Sequence, residues 1–364
     1  MTIMIVNWHD WFHSKSGGAE VYLREIAVRL HQSGHRVHIV CSRTPGRPNE
    51  ERIDGIEFHR IGNRYNFNFI WYWHASRMIR RIDPDVVVDD QNKLPFFSPW
   101  FTSKPVICMI MHLFKKAIFR EAFFITALIV YLSEKMIPGA YRNSFFTVLG
   151  ESGREDLQQM GIPETRIVVA EPGVDHHSYS PGSHTEDYLL CLGRLKRYKS
   201  VDHILVAMDR LNREGIRIRL KIAGTGDDAP RLKRITRQLK LEEQVEFLGF
   251  VPDDQVLELY QKAYLLIQPS KKEGWGLSVI EAGACRVPTI AACVPGLQDS
   301  VRNDYTGFLY EWGNIERLKD KIRYLVQHPE IREKMANNSL EWSTQFTWVR
   351  CSRIIDDLIR PLAD

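Results

Sequence analysis

The sequence of 364 residues lacks most of the features that mark specialised protein classes. No apolar run reaches the ~18 residues that a membrane-spanning helix needs. The net charge of +4 is small for this length and does not support a nucleic-acid-binding protein. There is no CxxC pair, which favours reduced core thiols over zinc ligands or disulfides. The six cysteines are Cys41, Cys108, Cys191, Cys285, Cys293 and Cys351.

The first residues also lack the features of a secretory signal. The opening stretch "MTIMIVNWHDWF" has no basic leader, no sustained apolar core and no small-residue cleavage site. We therefore interpret it as a first β-strand, and we expect a cytoplasmic protein.

What the sequence does have is a repeated alternation of apolar runs and amphipathic segments. With 44% hydrophobic and 26% charged residues it is an ordinary globular chain, and its length favours two domains. "MIVNW" is typical of a strand, and "GAEVYLREIAVRLHQSG" is typical of a helix that Gly34 caps. "HRVHIVC", "DPDVVVDD", "PVICMIMH" and "SFFTVLG" continue the strands. Strands alternating with helices predict a parallel sheet covered on both faces.

The pattern breaks around residues 172–187 and then restarts. "PGVDHHSYSPGSHTED" has the Pro, Gly and Ser content of an interdomain linker. Beyond it, "YLLCLGR", "IRLKIAG", "QVEFLGFV", "AYLLIQPS" and "PTIAAC" predict a second sheet of the same class. We predict an α/β protein with two doubly wound, Rossmann-like domains, residues 1–170 and 188–344, facing a central cleft. The linker would cover 171–187, and residues from about 345 to 364 would form a helix that crosses back onto the first domain.

One segment, residues 114–142, has two open interpretations. It carries an apolar block flanked by basic residues, which are Lys115, Lys116, Arg120, Lys135 and Arg142. A buried helix with a charged outer end would give this pattern. An interfacial helix that rests on an anionic membrane would give it equally well.

Two carboxylates lie in an otherwise apolar stretch, "KEGWGLSVIEAG". A carboxylate in apolar surroundings costs free energy unless something pairs with it. A helix that begins near Leu277, after Gly276, would present unpaired backbone N–H groups that suit a phosphate. Glu281 could then reach a neighbouring diol, and Glu273 would face the group beyond the phosphates. Phosphates with hydroxyls on either side describe a nucleotide sugar. The structural alternatives are a solvated helix carboxylate for Glu281 and a surface charge run for Glu273.

A second stretch, "CLGRLKRYKS", supplies cations directly after a strand. A diphosphate leaving group needs its negative charge neutralised as the glycosidic bond breaks, and Arg194 and Lys199 can provide this. Arginine offers a planar fork and lysine a point charge. A basic surface turn is the alternative.

"GRLKRYKS" together with "PSKKEGWGLSVIEAGACRVPTIA" resembles the signature of the retaining GT-B glycosyltransferases of family 4, the group 1 glycosyltransferases. The resemblance extends over nearly the whole chain, through "GGAE", "PGVD", "IAGTGDD", "LGFV" and the helical C-terminus. The E-x7-E element with Gly-Arg-x4-Lys upstream is a specific combination.

The resemblance implies a role for each matching residue. Glu281 would bind the ribose hydroxyls, Glu273 the donor-sugar hydroxyls near position 3, and Arg194 and Lys199 the diphosphate. The turn at Gly276 and Leu277 belongs to the same donor-binding motif. From the first domain, Gly17 and Gly18 would approach the diphosphate and His112 would contact the sugar near the reacting carbon. Main-chain groups at Phe250 and Val251 would meet the base.

Three positions depart from the family's usual pattern. Glu171 stands where many members have Asn, Arg286 where Gly is frequent, and Asp299 where Glu is usual. None of them is assigned to catalysis.

Two other motifs are given structural interpretations. "IAGTGDD" lacks the third glycine and the acidic residue of a dinucleotide site, and Pro84 makes "DPD" a strand entry rather than a metal site.

The resemblance implies transfer of a hexosyl group, with retained configuration, from a nucleotide-diphosphate sugar to a glycan or lipid-linked saccharide. A UDP-sugar such as UDP-glucose is favoured and GDP-mannose is next; neither a metal nor another cofactor is expected, and no nucleic acid. In the interfacial interpretation, segment 114–142 would bind peripherally to the inner face of an anionic membrane. The alternatives are a GT-B sugar-nucleotide epimerase and a non-catalytic nucleotide-binding subunit. The base, sugar, acceptor and oligomeric state are left open.

Overall fold

The computed structural model describes residues 1–13, 16–91, 94–120, 123–183 and 186–362. Residues 121–122 of segment 114–142, the side chain of Arg120, and residues 184–185 of the predicted linker lie outside this description. The chain forms two compact units. Unit 1 is Met1–Pro172 with Trp348–Asp364, and unit 2 is Gly173–Thr347.

The described part of unit 1 contains one sheet of eight strands. They are β1 (Thr2–Val6), β2 (Arg36–Ser42), β3 (Glu50–Ile53), β4 (Ile56–Ile61), β5 (Val86–Gln91), β6 (Val106–Ile110), β7 (Phe145–Val148) and β8 (Ile167–Val169). Their order is β3-β4-β2-β1-β5-β6-β7-β8, and every pair is parallel except β3 with β4. The strands predicted from the apolar runs of the first half are confirmed.

The alternation of strands and helices in the sequence does not predict the hairpin formed by β3 and β4. Asp54 and Gly55 connect the two strands with φ angles of 51° and 82°. Two consecutive positive φ angles are typical of the tight turn that suits a twisted hairpin, and Asp-Gly is a favoured pair for it. The register pairs Glu50 with His59 and Arg52 with Glu57. The hairpin therefore extends the parallel sheet at the edge beside β2.

The helices of unit 1 follow from the apolar periodicity. They are α1 (Gly18–Gln32), α2 (Phe67–Ile82), α3 (Phe124–Ala140) and α4 (Glu151–Gln159). In α1 the buried apolar residues recur at helical spacing, as at Tyr22, Ile26 and Leu30. Gly34 follows the helix with φ of 92° and donates its N–H to the His31 carbonyl. The predicted cap is confirmed.

The aromatic stretch 64–73 lies mainly on α2 and divides between two faces. Phe67 and Trp71 are fully buried, and the Trp71 Nε1–H donates to the Phe96 carbonyl at 3.0 Å. Phe69 and Trp73 lie on the opposite face, where they are 70% and 87% exposed. Helical spacing separates the two sets, so only the first contributes to the core.

Helix α3 has an exposed apolar face. Its buried stripe contains Ala127, Val130 and Ile137, and the Glu134 carboxylate accepts the backbone N–H groups of Phe114 and Lys115 at 2.6 and 2.8 Å. The other face carries large apolar side chains that are 37–90% exposed. These residues are Phe123, Phe124, Ile125, Leu128, Ile129, Leu132 and Met136. A fully buried helix at 114–142 is therefore wrong for the described residues.

The described part of unit 2 has six parallel strands. They are β9 (Tyr188–Leu192), β10 (Arg219–Ala223), β11 (Val245–Gly249), β12 (Leu265–Gln268), β13 (Thr289–Ala292) and β14 (Gly307–Tyr310). Their order is β11-β10-β9-β12-β13-β14. The helices are α5 (Asp202–Arg213), α6 (Ala229–Gln238), α7 (Asp253–Lys262), α8 (Leu277–Ala284), α9 (Leu297–Ser300), α10 (Ile315–Gln327) and α11 (Pro329–Ser343). The chain winds outward from β9 in both directions, so the switch point lies between β9 and β12.

The last helix, α12 (Trp348–Ile359), belongs to unit 1 and packs against α1. The Trp348 ring lies 5.9 Å from the Tyr22 ring, centroid to centroid. His35 Nε2 and Asp356 Oδ1, both largely buried, are 2.8 Å apart. These contacts attach the C-terminal segment to the first sheet's helical layer. Among the described residues, no helix combines the length and the apolar character needed to cross a bilayer.

Candidate functional site

The sequence-predicted residues of unit 2 lie on loops at the carboxyl ends of its parallel strands. Arg194 and Lys199 follow β9, Phe250 and Val251 follow β11, and Glu273 follows β12. Ligands of doubly wound sheets bind outside the carboxyl ends of the strands, at the switch point. Because β9 and β12 flank that point, the loops with Arg194, Lys199 and Glu273 occupy the expected position.

Lys199 and Glu273 form an ion pair across the switch point. Lys199 Nζ lies 2.7 Å from both carboxylate oxygens of Glu273, and each side chain is only 16% exposed. Burial lowers the pKa of Lys199, but the nearby Glu273 carboxylate outweighs this effect, so the pKa is raised overall. The lysine is therefore a permanent cation held in a defined position.

Backbone contacts fix the two loops that carry this pair. The Lys271 N–H donates to the Tyr198 carbonyl at 2.7 Å, which joins the loop after β12 to the short 3-10 helix Arg197–Lys199. The next residue, Ser200, is left-handed with φ of 52°, and its Oγ accepts the Trp312 Nε1–H at 3.1 Å. The ion pair is thus built on a supported backbone rather than on free surface side chains.

The turn into α8 depends on close backbone packing. Gly276 has φ of 92°, and a Cβ there would lie 2.9 Å from Leu297 Cδ2. A Cβ on Gly296 would lie only 2.6 Å from the Glu273 carbonyl oxygen. Glycine at both positions therefore lets the loop of Glu273 lie against the start of α9. Helix α8 begins at Leu277, and the first N–H groups of a helix have no acceptor in a preceding turn, so they can receive an anion; the Val279 N–H already donates to the Gly276 carbonyl at 2.9 Å.

The loop of Arg194 is held by the "AGTG" turn after β10. The Leu195 N–H donates to the Thr225 carbonyl at 2.8 Å, and the Asp228 N–H donates back to the Leu195 carbonyl at 3.1 Å. A Cβ on Gly226 would lie 2.0 Å from the Leu195 oxygen. The Gly-x-Gly element therefore serves close packing here. The Arg194 side chain is exposed, and its charge acts to lower the pKa of Lys199, as a neighbouring cation does.

Glu281 lies about one turn into α8 and is partly buried. The Tyr260 hydroxyl donates to its Oε2 at 2.8 Å. Burial raises the pKa of Glu281 to about 7; the hydrogen bond from Tyr260 acts in the opposite direction, and the charge of Asp253 adds to the rise. The side chain can therefore gain or lose its proton near neutral pH.

The remaining predicted residues lie on other elements. Phe250 is 77% exposed and Val251 is half-buried, just after the left-handed Gly249 at the end of β11. In unit 1, Gly17 precedes α1 and donates its N–H to Glu20 Oε2 at 2.7 Å; Gly18 begins that helix. His112 follows β6, half-buried, with its ring 4.6 Å from that of Phe114.

Three residues of this region were not singled out from the sequence. Tyr260 is the hydrogen-bond partner of Glu281, and its position 21 residues earlier gives no local signal. The Trp275 side chain is 4% exposed and packs edge-on against Phe346 at 5.3 Å. In the part of the chain that the structure describes, Trp275 Nε1 and Ser270 Oγ are buried without a hydrogen-bond partner. Trp275 belongs to the stretch "KEGWGLSVIEAG", but an aromatic residue alone does not indicate a role there.

Two family models match consecutive parts of the chain. The model for glycosyltransferase family 4 matches residues 16–178, and the model for glycosyl transferases group 1 matches residues 176–342. The boundary between the matches lies close to the boundary between the two units.

Solved structures and curated relatives agree with this assignment. Sucrose-phosphate synthase from Thermosynechococcus elongatus superposes with a TM-score of 0.83 at 19% identity, covering 99% of this chain and 98% of its own. HepE from Anabaena in complex with UDP-glucose gives 0.74 at 18% identity, with coverage of 98% and 99%. At this identity the likeness establishes the fold, and the predicted GT-B class with two parallel-sheet α/β domains is confirmed.

A D-inositol 3-phosphate glycosyltransferase from Geodermatophilus obscurus is 30% identical over 229 residues, which are 57% of this chain and 50% of the relative. The chain spans about half the length of the first curated relatives that it matches. The match nevertheless agrees with both family models. The chain therefore belongs to the group 1, family 4 glycosyltransferases, a family of transferase enzymes, as its two motif stretches indicated.

Proposed function

We propose that the protein is a retaining glycosyltransferase that moves a hexosyl group from a nucleotide-diphosphate sugar to a glycan or lipid-linked saccharide. The observation that carries this proposal is the largely buried Lys199–Glu273 pair at the switch point of unit 2. Arg194 and the start of α8 supply further positive potential at the same edge of the sheet. A structural ion pair alone would not need these additional anion-binding groups.

The groups of unit 2 suit the successive parts of such a donor. Lys199, Arg194 and the first N–H groups of α8 would hold the diphosphate, and Glu273 would accept hydrogen bonds from the sugar hydroxyls. Glu281 would accept hydrogen bonds from the ribose. Main-chain groups at Phe250 and Val251 would meet the base. For Gly17 and Gly18, which would approach the diphosphate, and His112, which would contact the sugar, the proposal rests on the family pattern.

Transfer would proceed by attack on the face from which the leaving group departs. The bond between the anomeric carbon and the phosphate oxygen breaks, and the acceptor oxygen bonds to the same carbon on the same face. The acceptor's proton passes to the departing phosphate oxygen. Fixed cations stabilise the charge that develops on the diphosphate, so we expect this step to need no metal.

A UDP-sugar, with UDP-glucose first and GDP-mannose second, is the donor that we propose. The UDP-glucose complex of HepE, which shares this fold, supports this choice. Base recognition by the backbone after β11 would leave little trace in the side chains, so the fold alone supports several nucleotides.

Slow donor hydrolysis tests the proposal without knowledge of the acceptor. The purified protein is incubated with UDP-glucose or GDP-mannose in water, and the freed sugar is followed by proton NMR before its anomers equilibrate. We expect the nucleoside diphosphate and a sugar that keeps the donor's α configuration. Release of the β anomer would overturn the retaining mechanism. Conversion of the sugar within an intact donor would favour an epimerase, and no turnover of any donor would favour a binding subunit.

Donor affinity should depend on pH through Glu281. Below its pKa of about 7 the group is protonated and loses part of its capacity to accept hydrogen bonds; above that pH it is a carboxylate. The dissociation constant for UDP-glucose should therefore fall about tenfold between about pH 6 and about pH 8. Calorimetric titration measures this change. Glu281→Gln should remove most of the dependence, whereas Glu258→Gln on the exposed face of α7 should keep it; a flat profile for the unaltered protein would contradict the role of Glu281.

We also propose that the exposed face of α3 rests on an anionic membrane. The large side chains of this face are concentrated near the start of the helix, where Phe123 is 90% and Ile125 is 73% exposed. The exposed basic residues Lys116, Lys135 and Arg142 lie in the same segment. Apolar side chains bordered by cations are typical of helices that bind anionic lipid surfaces. Such a position would bring the enzyme to a lipid-linked acceptor.

Vesicle sedimentation tests this contact. The protein should bind phosphatidylcholine vesicles that contain phosphatidylglycerol more strongly than vesicles of phosphatidylcholine alone. The pair Ile125→Asp and Ile129→Asp should weaken binding tenfold or more, because each change places a charge in the apolar layer. Trp73→Asp, at an exposed aromatic of α2, is the control and should have little effect. Vesicle binding that is unchanged in the double variant would contradict the proposal. So would a double variant that still binds vesicles but no longer self-associates, because the face would then be a contact between copies of the chain.

A further inference from the structure

Two buried histidines face each other on neighbouring strands of unit 1. His38 on β2 and His59 on β4 are 4% and 6% exposed. His38 Nδ1 lies 3.1 Å from His59 Nε2, and the ring planes are within 14° of parallel. The third member, Glu57, lies on β4 directly opposite His38 and places its Oε2 3.4 Å from His38 Nδ1. One potential ligand atom from each residue lies within 4.8 Å of the others.

These separations match the ligand shell of a small tetrahedral cation. Zinc binds imidazole nitrogen and carboxylate oxygen at about 2.0–2.2 Å, so two ligand atoms at a tetrahedral angle are about 3.3 Å apart. The measured separations of 3.1 and 3.4 Å bracket that value. Two histidines with one carboxylate are also the ligand set of borderline divalent metals, and magnesium or calcium would require more oxygen ligands.

A further carboxylate lies where it can orient one of the histidines. Glu50 Oε2, on β3, is 3.3 Å from His59 Nδ1, within ion-pair distance but without hydrogen-bond geometry in the described structure. Metal-binding histidines usually turn their second ring nitrogen to such a carboxylate, which fixes the tautomer and raises the basicity of the metal-binding nitrogen. Arg81 donates to both oxygens of Glu50 at 2.8 Å and so holds that carboxylate in place.

We propose that His38, Glu57 and His59 form a binding site for a divalent transition metal, with zinc as the favoured ion. The Glu57 side chain is 38% exposed, so the ion can enter from solvent and a water can complete its coordination. The metal would fasten β4, and with it the hairpin at the sheet edge, to β2. The site lies in unit 1, and the transfer chemistry that we propose does not use its metal.

The alternative is a hydrogen bond between two neutral imidazoles. Either state leaves His38 Nε2 buried without a hydrogen-bond partner among the described residues, so this atom does not distinguish the two. The hydrogen bond between the rings would use His38 Nδ1 for His59 alone, whereas the Glu57 oxygen lies 3.4 Å from the same nitrogen, and a metal ion would be bound by all three atoms. A direct measurement of metal affinity separates the two states.

Titration of the full-length protein, without a histidine tag and after removal of metals with EDTA, tests the site. Zinc chloride alone should bind with one ion per chain and raise the unfolding temperature. Cobalt(II) should give the visible absorption of a four-coordinate site. His59→Gln should weaken zinc binding at least about a hundredfold. Glu50→Gln, which removes the carboxylate beside His59 together with its ion pair to Arg81, should weaken it about ten- to a hundredfold.

Two further variants serve as the control and as the replacement for a variant that does not fold. His177→Gln, at an exposed histidine of unit 2, should leave zinc affinity unchanged. If His59→Gln does not fold, Glu57→Gln replaces it, because the Glu57 side chain is partly exposed and its loss is tolerated more easily. Absence of binding at micromolar zinc, or equal affinity in the unaltered protein and in Glu57→Gln, would overturn the proposal.

Discussion

Replacement of Lys199 by methionine should lower kcat/KM for donor turnover about 10²- to 10³-fold. Methionine keeps much of the side-chain volume but removes the cation that would stabilise the departing diphosphate, and loss of one such group from an enclosed site has an effect of this size. It also leaves the Glu273 carboxylate, only 16% exposed, without its partner at 2.7 Å. Release of the nucleoside diphosphate measures the rate.

Lys196→Met is the matched control for this prediction. Lys196 lies in the same loop and pairs with Asp227 at 2.7 Å, but both side chains are well exposed. Exposed ion pairs contribute little, so this variant should keep nearly the full rate. The double change of Lys199→Met with Glu273→Gln should cost less than the sum of the two single changes, since the residues act as a pair. Equal rates for Lys196→Met and Lys199→Met would refute the role of the ion pair.

Gly226→Ala should lower kcat/KM for donor turnover about 10²-fold, through weaker donor binding and slower turnover together. The added Cβ would lie 2.0 Å from the Leu195 carbonyl oxygen, so the loop that carries Arg194 must move. A displacement of about 1 Å in a group that positions a substrate can cost this much. Calorimetric binding of the nucleoside diphosphate and the rate of donor turnover measure the effect.

Gly139→Ala is its control, because a Cβ at Gly139 meets no atom within 4 Å. It should leave both binding and turnover unchanged. The unfolding temperature of Gly226→Ala should fall only modestly if the loop shifts while the sheet stays intact. Full donor affinity in a folded Gly226→Ala protein would show that the "AGTG" turn does not position Arg194.

The sequence was most informative where short segments repeat a pattern. Alternating apolar runs predicted both parallel sheets because the period of a strand and of a helix is visible within about ten residues. The sequence predicts Lys199 and Glu273, 74 residues apart, on loops of the same sheet because each follows one of its strands. The direct ion pair between them was not predicted, since only the three-dimensional arrangement brings the two loops together.

Other features depend on neighbours that a linear pattern does not reveal. The Asp54-Gly55 hairpin was passed over because β3 has only four residues and lies outside the βαβ alternation. The exposed face of α3 could not be separated from a buried one, since both are apolar in sequence. Tyr260 is an ordinary core position on α7 by periodicity, and its bond to Glu281 arises only from the packing of α7 beside α8.

The most direct test of the central claim is thermal unfolding of the full-length protein with UDP, GDP, ADP and their sugar conjugates, in buffer that contains EDTA throughout. A nucleotide present at a hundred times its dissociation constant should stabilise the protein by about 2.7 kcal/mol. We predict a clear rise in unfolding temperature with one base, most strongly UDP, in the absence of free metal. The rise should be lost in Lys199→Met. Failure of every nucleotide to stabilise the unaltered protein would contradict a donor site at the Lys199–Glu273 pair.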